Sequence, residues 1–267
     1  MTVSISVTTI ASRIELCRRT CESLAGQTVV ADEIVLRVSG DPYLLDSGLH
    51  ESMLDWTRGM CGLRVEWVEN LGPYRKLVPA LATACPGDMV VTVDDDAEYA
   101  PTWLETLLSA AASHSNAIVC GCARRPGYNF MGRRLGYWAW PSVDPGTLEV
   151  GLIPIGLCGV VYRPEVIDVA WATDQAFRTI AATTDDLWFA EAARRCGSPV
   201  FVAPGAASLV VPLQSPTTLF ELNGGGREAW PNFRRRMSRR VMSRLGVPCC
   251  VNDLNYAQVL EYSSKSK

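Results

Sequence analysis

The sequence predicts an α/β fold: a Rossmann-like, mostly parallel central sheet flanked by helices, followed by a less regular C-terminal region. Three observations lead there. Short β-branched runs alternate with amphipathic segments through the first 122 residues, the pattern that builds parallel sheets covered on both faces. The chain has 267 residues, 48% hydrophobic and 20% charged, an ordinary globular composition with room for a substantial core. An uncharged stretch, residues 198–220, holds Pro199, Pro204, Pro212 and Pro216, which argues against a membrane-crossing helix there.

In chain order, "VSISVTTI" (3–10) reads as the first strand and "RIELCRRTCESLA" (13–25) as a helix. "EIVLRVS" (33–39) is a second strand, "LHESMLDWTRGM" (49–60) a helix and "LRVEWVE" (63–69) a third strand. "KLVPALATA" (76–84) predicts a short helix with Pro79 in its first turn, where a missing N–H is tolerated. "MVVTV" (89–93) is a fourth strand, "PTWLETLLSAAA" (101–112) a helix and "AIVCGC" (117–122) a fifth strand. Residues 123–155, rich in Arg, Gly, Pro and aromatics, read as a loop that closes over a ligand. "LCGVVYRP" (157–164) is a strand with a glycine at close quarters. "DDLWFAEAARRCG" (185–197) is a helix: Thr183 or Thr184 caps it, acids fill its first turn, arginines its last, and Gly197 stops it. Residues 227–244 predict a further helix, entered through a flexible "NGGG" turn (223–226).

The net charge of −3 is unevenly spread. Residues 227–244 hold seven arginines against Glu228, a net +6 that leaves −9 for the rest of the chain. Arg124, Arg125, Arg133 and Arg134 form a second cluster with no acid beside them in sequence. The ten cysteines lack zinc spacing. With no basic, leucine-rich start of the kind that directs export, they read as reduced core residues of a cytoplasmic protein.

The fourth strand ends in Asp94, Asp95 and Asp96. Three adjacent carboxylates at the end of a buried strand repel one another. They are tolerated if a hard cation such as Mg2+ or Mn2+ sits among them, and such a cation can hold a diphosphate. The alternative is an acid cluster at a helix N-terminus ahead of Pro101. In parallel sheets ligands bind beyond the carboxyl ends of the strands, where these acids lie.

Four segments in order resemble the GT-A glycosyltransferases, family 2-like enzymes in particular. They are "VTTIASR" (7–13), "NLGPYRKLVPAL" (70–81), "VTVDDDAEYAPTWLETLL" (91–108) and "TTDDLWFAEAARRCG" (183–197). The third resembles the DxD motif and the fourth the acidic catalytic motif. "PLQSPTTLFELNGGG" (212–226) and "NDLNYAQVL" (252–260) are similar to C-terminal pieces of a bacterial subgroup. The resemblance implies one GT-A domain over 1–267: a nucleotide-sugar-binding half (1–122), an acceptor and base half (123–226) and a basic helical segment (227–267).

It also implies roles. Asp96 would bind Mn2+ or Mg2+, and Asp94 would share the metal or meet the nucleotide ribose, with Asp95 near the ribose or sugar. Thr8, Thr9 and Arg13 would line the nucleotide, and Lys76 would meet the diphosphate as a point charge. Asp186 would be the general base of an inverting transfer from a nucleotide-diphosphate sugar, a UDP-sugar first, with Asp185 the second choice. The helix dipole at Asp186 would lower its pKa; plain capping is the other reading of both acids. The family's later metal-binding histidine is missing. His50 and His114 read as surface or structural, leaving Asn252, Asp253, water or phosphate oxygens as the third ligand.

The resemblance favours a saccharide acceptor. Arg124, Arg125, Trp138, Trp140, Arg234 and Arg235 are candidate acceptor contacts, Trp138 and Trp140 as stacking surfaces or as core. Arginines interleaved with aromatics also suit a phosphate backbone, so the alternative is modification of a hydroxylated base in DNA, reached by base flipping. The basic segment reads otherwise as a solvated face or one that docks on an anionic membrane. A nucleotidyltransferase is disfavoured because "TTIASRIE" has no glycine, and a non-catalytic binding module would not need the acids at 185–186.

Overall fold

The computed structural model describes residues 1–214 and 233–266; for 233–238 it describes the backbone alone. With elements numbered in chain order, β1 (Val3–Thr8), β2 (Glu33–Val38), β3 (Leu63–Trp67) and β4 (Met89–Val93) pair in the order β3-β2-β1-β4, all parallel. α1 (Ile14–Ala25) links β1 to β2, and α2 (Val78–Thr83) leads into β4. All five residues of β4 are buried, because strands flank it on both edges and side-chain layers cover both its faces.

Beyond β4 the pairing changes direction. β10 (Val160–Tyr162) inserts antiparallel between β4 and β6 (Ile118–Cys120). β11 (Val200–Val202) then runs parallel to β6, and β8 (Leu148–Glu149) closes the edge antiparallel. Two small ribbons stand apart: β5 (Ala97–Tyr99) with β12 (Val210–Pro212), and β7 (Ala123–Arg124) with β9 (Ile153–Pro154). The mostly parallel sheet expected from the sequence is present, with one antiparallel strand near its middle.

The period-2 alternation of strands splits the core into two layers. Val91, Val93, Val119 and Val161 face α1 and α3 (Trp103–Ser113), meeting Cys17, Leu24, Trp103 and Leu107. Val90, Ile118, Cys120 and Val160 face the other way. There they meet α2, α4 (Val169–Ala172), α5 (Phe177–Ile180), α6 (Asp185–Arg195) and α8 (Val251–Lys265) through Leu81, Trp171, Phe177, Trp188 and Val259. Each such side chain removed from water contributes about 1.5–3 kcal/mol. Gly159, just ahead of β10, has φ +83, and a Cβ there would stand 2.2 Å from the Trp103 ring. Only glycine lets β10 run this close to α3.

Three expectations need correction. Residues 49–60 do not form an α-helix: a 3-10 helix runs over Glu51–Gly59, with Leu54 alone buried, too little apolar face to dock a full helix. Thr184 occupies the N-cap of α6, but its hydroxyl makes no capping bond and instead accepts from Asn255 Nδ2 at 3.0 Å. Residues 123–155 are no free flap, since Tyr137 and Trp140 pack with Leu187 of α6 and Tyr256 of α8. The basic helix α7 is described over Phe233–Arg244; residues 223–232, with the "NGGG" turn and Arg227, lie outside the described residues. Among the described residues no helix is long and apolar enough to cross a membrane.

Candidate active site

The three aspartates leave β4 on alternate sides, so their surroundings differ. Asp95 turns inward and is 1% exposed, while Asp94 and Asp96 are 33% and 16% exposed. Asp95 is gripped: Arg13 Nη2 stands 2.5 Å from Oδ1 and the Thr9 hydroxyl donates to Oδ2 at 2.5 Å. Arg13 also reaches Asp96 at 3.3 Å. Arg75, 1% exposed, lies behind them; it is 3.0 Å from Asp46 and donates to the Thr9 carbonyl at 3.0 Å, which fixes the turn carrying Thr9.

Asp94 faces the other half of the site. Lys76 Nζ lies 2.7 Å from Asp94 and 3.0 Å from Asp185, in the first turn of α6. One ammonium therefore ties the acidic end of β4 to the acidic start of α6. Lys76, expected at the diphosphate, stands between these two carboxylates. Among the described residues Asp186 receives the Gly156 amide, at 3.3 Å. A Cβ on Gly156 would stand 2.8 Å from Lys76 Nζ, 3.0 Å from Asp94 Oδ1 and 3.3 Å from Asp186 Oδ1. The bare backbone of Gly156 is thus a wall of the site.

Electrostatics separate these groups. Burial disfavours the charge on Lys76, but Asp185 and Asp94 outweigh it and raise its pKa well above the usual range. Burial, then Asp185, pushes the Asp186 carboxyl up to about 8, against the opposing pull of Lys76. This reverses the expected lowering, since the desolvation of a carboxylate outweighs the helix dipole. Burial, then Asp94 and Asp95, pushes Asp96 up to about 7, with Arg13 opposing. Burial raises Asp95 as well, against Arg13 and Thr9, and three carboxyls with raised pKa in one cluster mark a place short of positive charge.

That shortage is the test of fit for a divalent cation. Among the described residues no group of three or more His, Cys, Asp and Glu side chains stands ready as a metal cage. Mg2+, however, is commonly held by one or two carboxylates with phosphate oxygens and water. Asp96, part-open and under-neutralised, with Asp94 two residues away, fits that mode. Asp253 does not offer a further ligand: its carboxylate accepts the backbone N–H groups of Tyr137 at 2.6 Å and Cys249 at 2.7 Å, in the cap of α8. Asn252 is buried in the first turn of α8. His114 stacks on Phe201 at 3.7 Å and His50 is exposed.

A cleft of about 620 Å3 opens beside the acids, lined by Arg13, Ile14, Met53, Trp56 and Gln214. Thr8 sits on the other side of the strand, its hydroxyl bonded to the Arg37 carbonyl at 2.8 Å. Arg124 lies over the Tyr137 ring at 5.1 Å and donates to the Trp140 carbonyl. Arg125 pairs with Glu149 at 2.8 Å, so this cluster does have an acid beside it in space. Trp140 is 3% exposed and edge-on to Tyr256, a core side chain where a stacking platform was one expectation. Trp138 is half-buried beside Tyr137. The side chains of Arg234 and Arg235 lie outside the described residues.

Sequence reading missed Arg75 and Gly156. Arg75 lies beside Lys76 in "GPYRKL", where a second cation ahead of a buried helix was a usable signal. Gly156 lies in "PIGLCG", where two glycines three apart flag close backbone approach.

The family model described as "Glycosyl transferase family 2" matches residues 13–162, more than half of the chain, from Arg13 to the end of β10. No curated protein matches the chain.

Proposed function

The chain belongs to glycosyl transferase family 2, and from that premise we propose a cation-assisted, inverting transfer from a nucleotide-diphosphate sugar to a saccharide hydroxyl. One observation carries this reading: Lys76 joins Asp94 to Asp185, so a diphosphate-side acid and an acceptor-side acid share one cleft. The nucleoside of the donor, a UDP-sugar first, fits the cleft between Arg13 and Trp56. Its diphosphate would then lie at Asp96. Mn2+ or Mg2+, held there by Asp96 with Asp94, would supply Lewis-acid neutralisation of the departing diphosphate.

The chain's own residues do the rest. Arg13 holds Asp95 and Asp96 in place. Lys76 holds Asp94 and Asp185 apart from direct repulsion. Asp186 takes the proton of the acceptor hydroxyl as that oxygen attacks the anomeric carbon from the side opposite the diphosphate. The carbon–oxygen bond to the diphosphate breaks, and the configuration inverts. A carboxyl raised toward 8 is a stronger base, once ionised, than an ordinary aspartate. The fixed amide of Gly156 orients it.

A saccharide acceptor is favoured over nucleic acid because Arg124 and Arg125 are already engaged by Tyr137 and Glu149. The test is a panel of nucleotide-sugars with Mn2+, followed by thermal protection and donor hydrolysis, then by saccharide and duplex DNA acceptors. Asp96→Ala should abolish the metal-dependent part. Asp186→Asn should keep donor protection and stop transfer. Full transfer by Asp186→Asn would remove the base assignment.

A further inference from the structure

The antiparallel ladder between β6 and β10 continues past its last paired residues. Val119 faces Val161 and Cys120 faces Val160. One step on, the Gly121 amide donates to the Gly159 carbonyl at 3.1 Å. The next pair in this register is Cys122 with Cys158, and their Sγ atoms stand 2.6 Å apart. The Gly159 amide turns to the Gly156 carbonyl at 2.9 Å, so the ladder stops there, but the Ile155 amide donates to the Cys122 carbonyl at 3.0 Å and keeps the two segments side by side. Sulfur atoms already this close need only a small approach to reach the roughly 2.05 Å of a disulfide bond. Both thiols are free and only half-buried. Cys17 and Cys21, the other close pair, are 4.0 Å apart and fully buried in α1.

The two cysteines join parts of the chain that matter to the site. Cys158 ends the 3-10 turn Gly156–Cys158. That turn offers the Gly156 amide to Asp186, the Leu157 carbonyl to the Tyr99 hydroxyl at 3.0 Å and the Cys158 carbonyl to Trp103 Nε1 at 3.0 Å. Cys122 precedes β7, which carries Arg124. A bond between them would add a covalent tie to the Ile155 amide–Cys122 carbonyl hydrogen bond, 3.0 Å, that already joins this segment to the start of the turn.

We propose that Cys122 and Cys158 form a reversible disulfide that clamps the 156–158 turn over the acidic cleft. The oxidant is a low-molecular-weight disulfide. One cysteine thiolate attacks a sulfur of that disulfide, releasing one thiol and leaving a mixed disulfide on the protein. The second thiolate displaces the remaining small thiol. Two protein S–H bonds and one small-molecule S–S bond become one protein S–S bond and two small thiols. The protein loses two electrons and two protons, which the oxidant gains.

The test uses the full chain incubated with oxidised glutathione, alkylated, and digested without reduction. The expected result is a linked peptide whose fragment ions place the bond between Cys122 and Cys158. Reduced glutathione should reverse it. The oxidised protein should melt several degrees higher than the reduced one, because the bond closes a long loop. Cys122→Ser, which leaves Cys120 in place, should lose both the linked peptide and the rise in melting temperature. Recovery of Cys122 and Cys158 as alkylated thiols, or each bearing its own glutathione, overturns the proposal, as does a bond from either to another cysteine. None of these readouts involves sugar transfer, so the result stands apart from the proposed activity.

Discussion

Asp95 and Asp186 are both acids at the mouth of the sheet, yet the protein neutralises one and leaves the other exposed to its own like charges. Asp95 has a guanidinium and a hydroxyl, each at 2.5 Å. Asp186 has one amide at 3.3 Å and Asp185 beside it. A buried carboxylate with its cation in place is framework. Burial raises the pKa of both, so what separates them is their partners: Asp95 holds a guanidinium and a hydroxyl, and Asp186 an amide.

The largest effect that could break this contrast is on stability. Asp95→Asn should destabilise the fold by about 1–3 kcal/mol, because it removes the nearer of the two carboxylates that hold Arg13 and leaves Asp96, at 3.3 Å, as the other. Asp96→Asn should cost far less or stabilise, since it removes a carboxyl that burial, Asp94 and Asp95 already push up to about 7. Urea unfolding of the two variants decides it. Equal losses would mean that both acids are framework.

Next in size is the effect of Asp186→Asn on chemistry. Loss of a positioned base lowers the transfer rate by about 10²–10⁴-fold. Donor protection and melting temperature should hold or rise, because the substituted group was strained by burial and by Asp185. Asp185→Asn should behave differently. It removes a partner of Lys76 and should lower the melting temperature.

The pH profile sharpens the same contrast on a smaller scale. Asp186 and Asp96 keep protons in the folded state up to about 8 and about 7, and lose them near 4 when unfolded. Between those values the folded state binds more protons, so these two groups make stability fall as pH rises from about 4 to about 8. Transfer should run the opposite way and rise as Asp186 ionises near pH 8. Saturating Mn2+ should shift the Asp96 part of the stability profile to lower pH. Differential scanning fluorimetry from pH 5 to 9, with and without Mn2+, reads both.

These tests fall on residues that were legible to different degrees. β2 and β4 were readable as near-continuous apolar runs, buried along almost their whole length, and β1 and β3 by apolar–polar alternation. The direction of β10 was not, since three residues carry no mark of which way the chain returns. The acids at 94–96 and 185–186 were visible as like charges after a strand and at a helix start. Which of them meets Arg13 and which meets Lys76 depends on strand alternation and on a buried Arg75–Asp46 pair 29 residues apart in sequence. The charge at Arg125 was misread for a related reason: its partner, Glu149, lies 24 residues away.

That pair supplies the smallest effect and the one that bears on the acceptor. Arg125 and Glu149 are 42% and 44% exposed, and an exposed ion pair contributes about 0–1 kcal/mol. Arg125→Ala should therefore leave the melting temperature almost unchanged and transfer to a saccharide unaffected. Were the acceptor a nucleic acid, an arginine on its backbone would leave a different trace. The slope of log affinity against log salt would flatten by about one on its removal. Titrating wild type and Arg125→Ala against labelled duplex DNA at several salt concentrations separates the two cases. Identical slopes, with activity kept on saccharides, favour the arrangement in which the acids act and this arginine only steadies the edge of the sheet. A slope lowered by one would move Arg125 from the framework to the working half of the molecule, and the saccharide assignment would go with it.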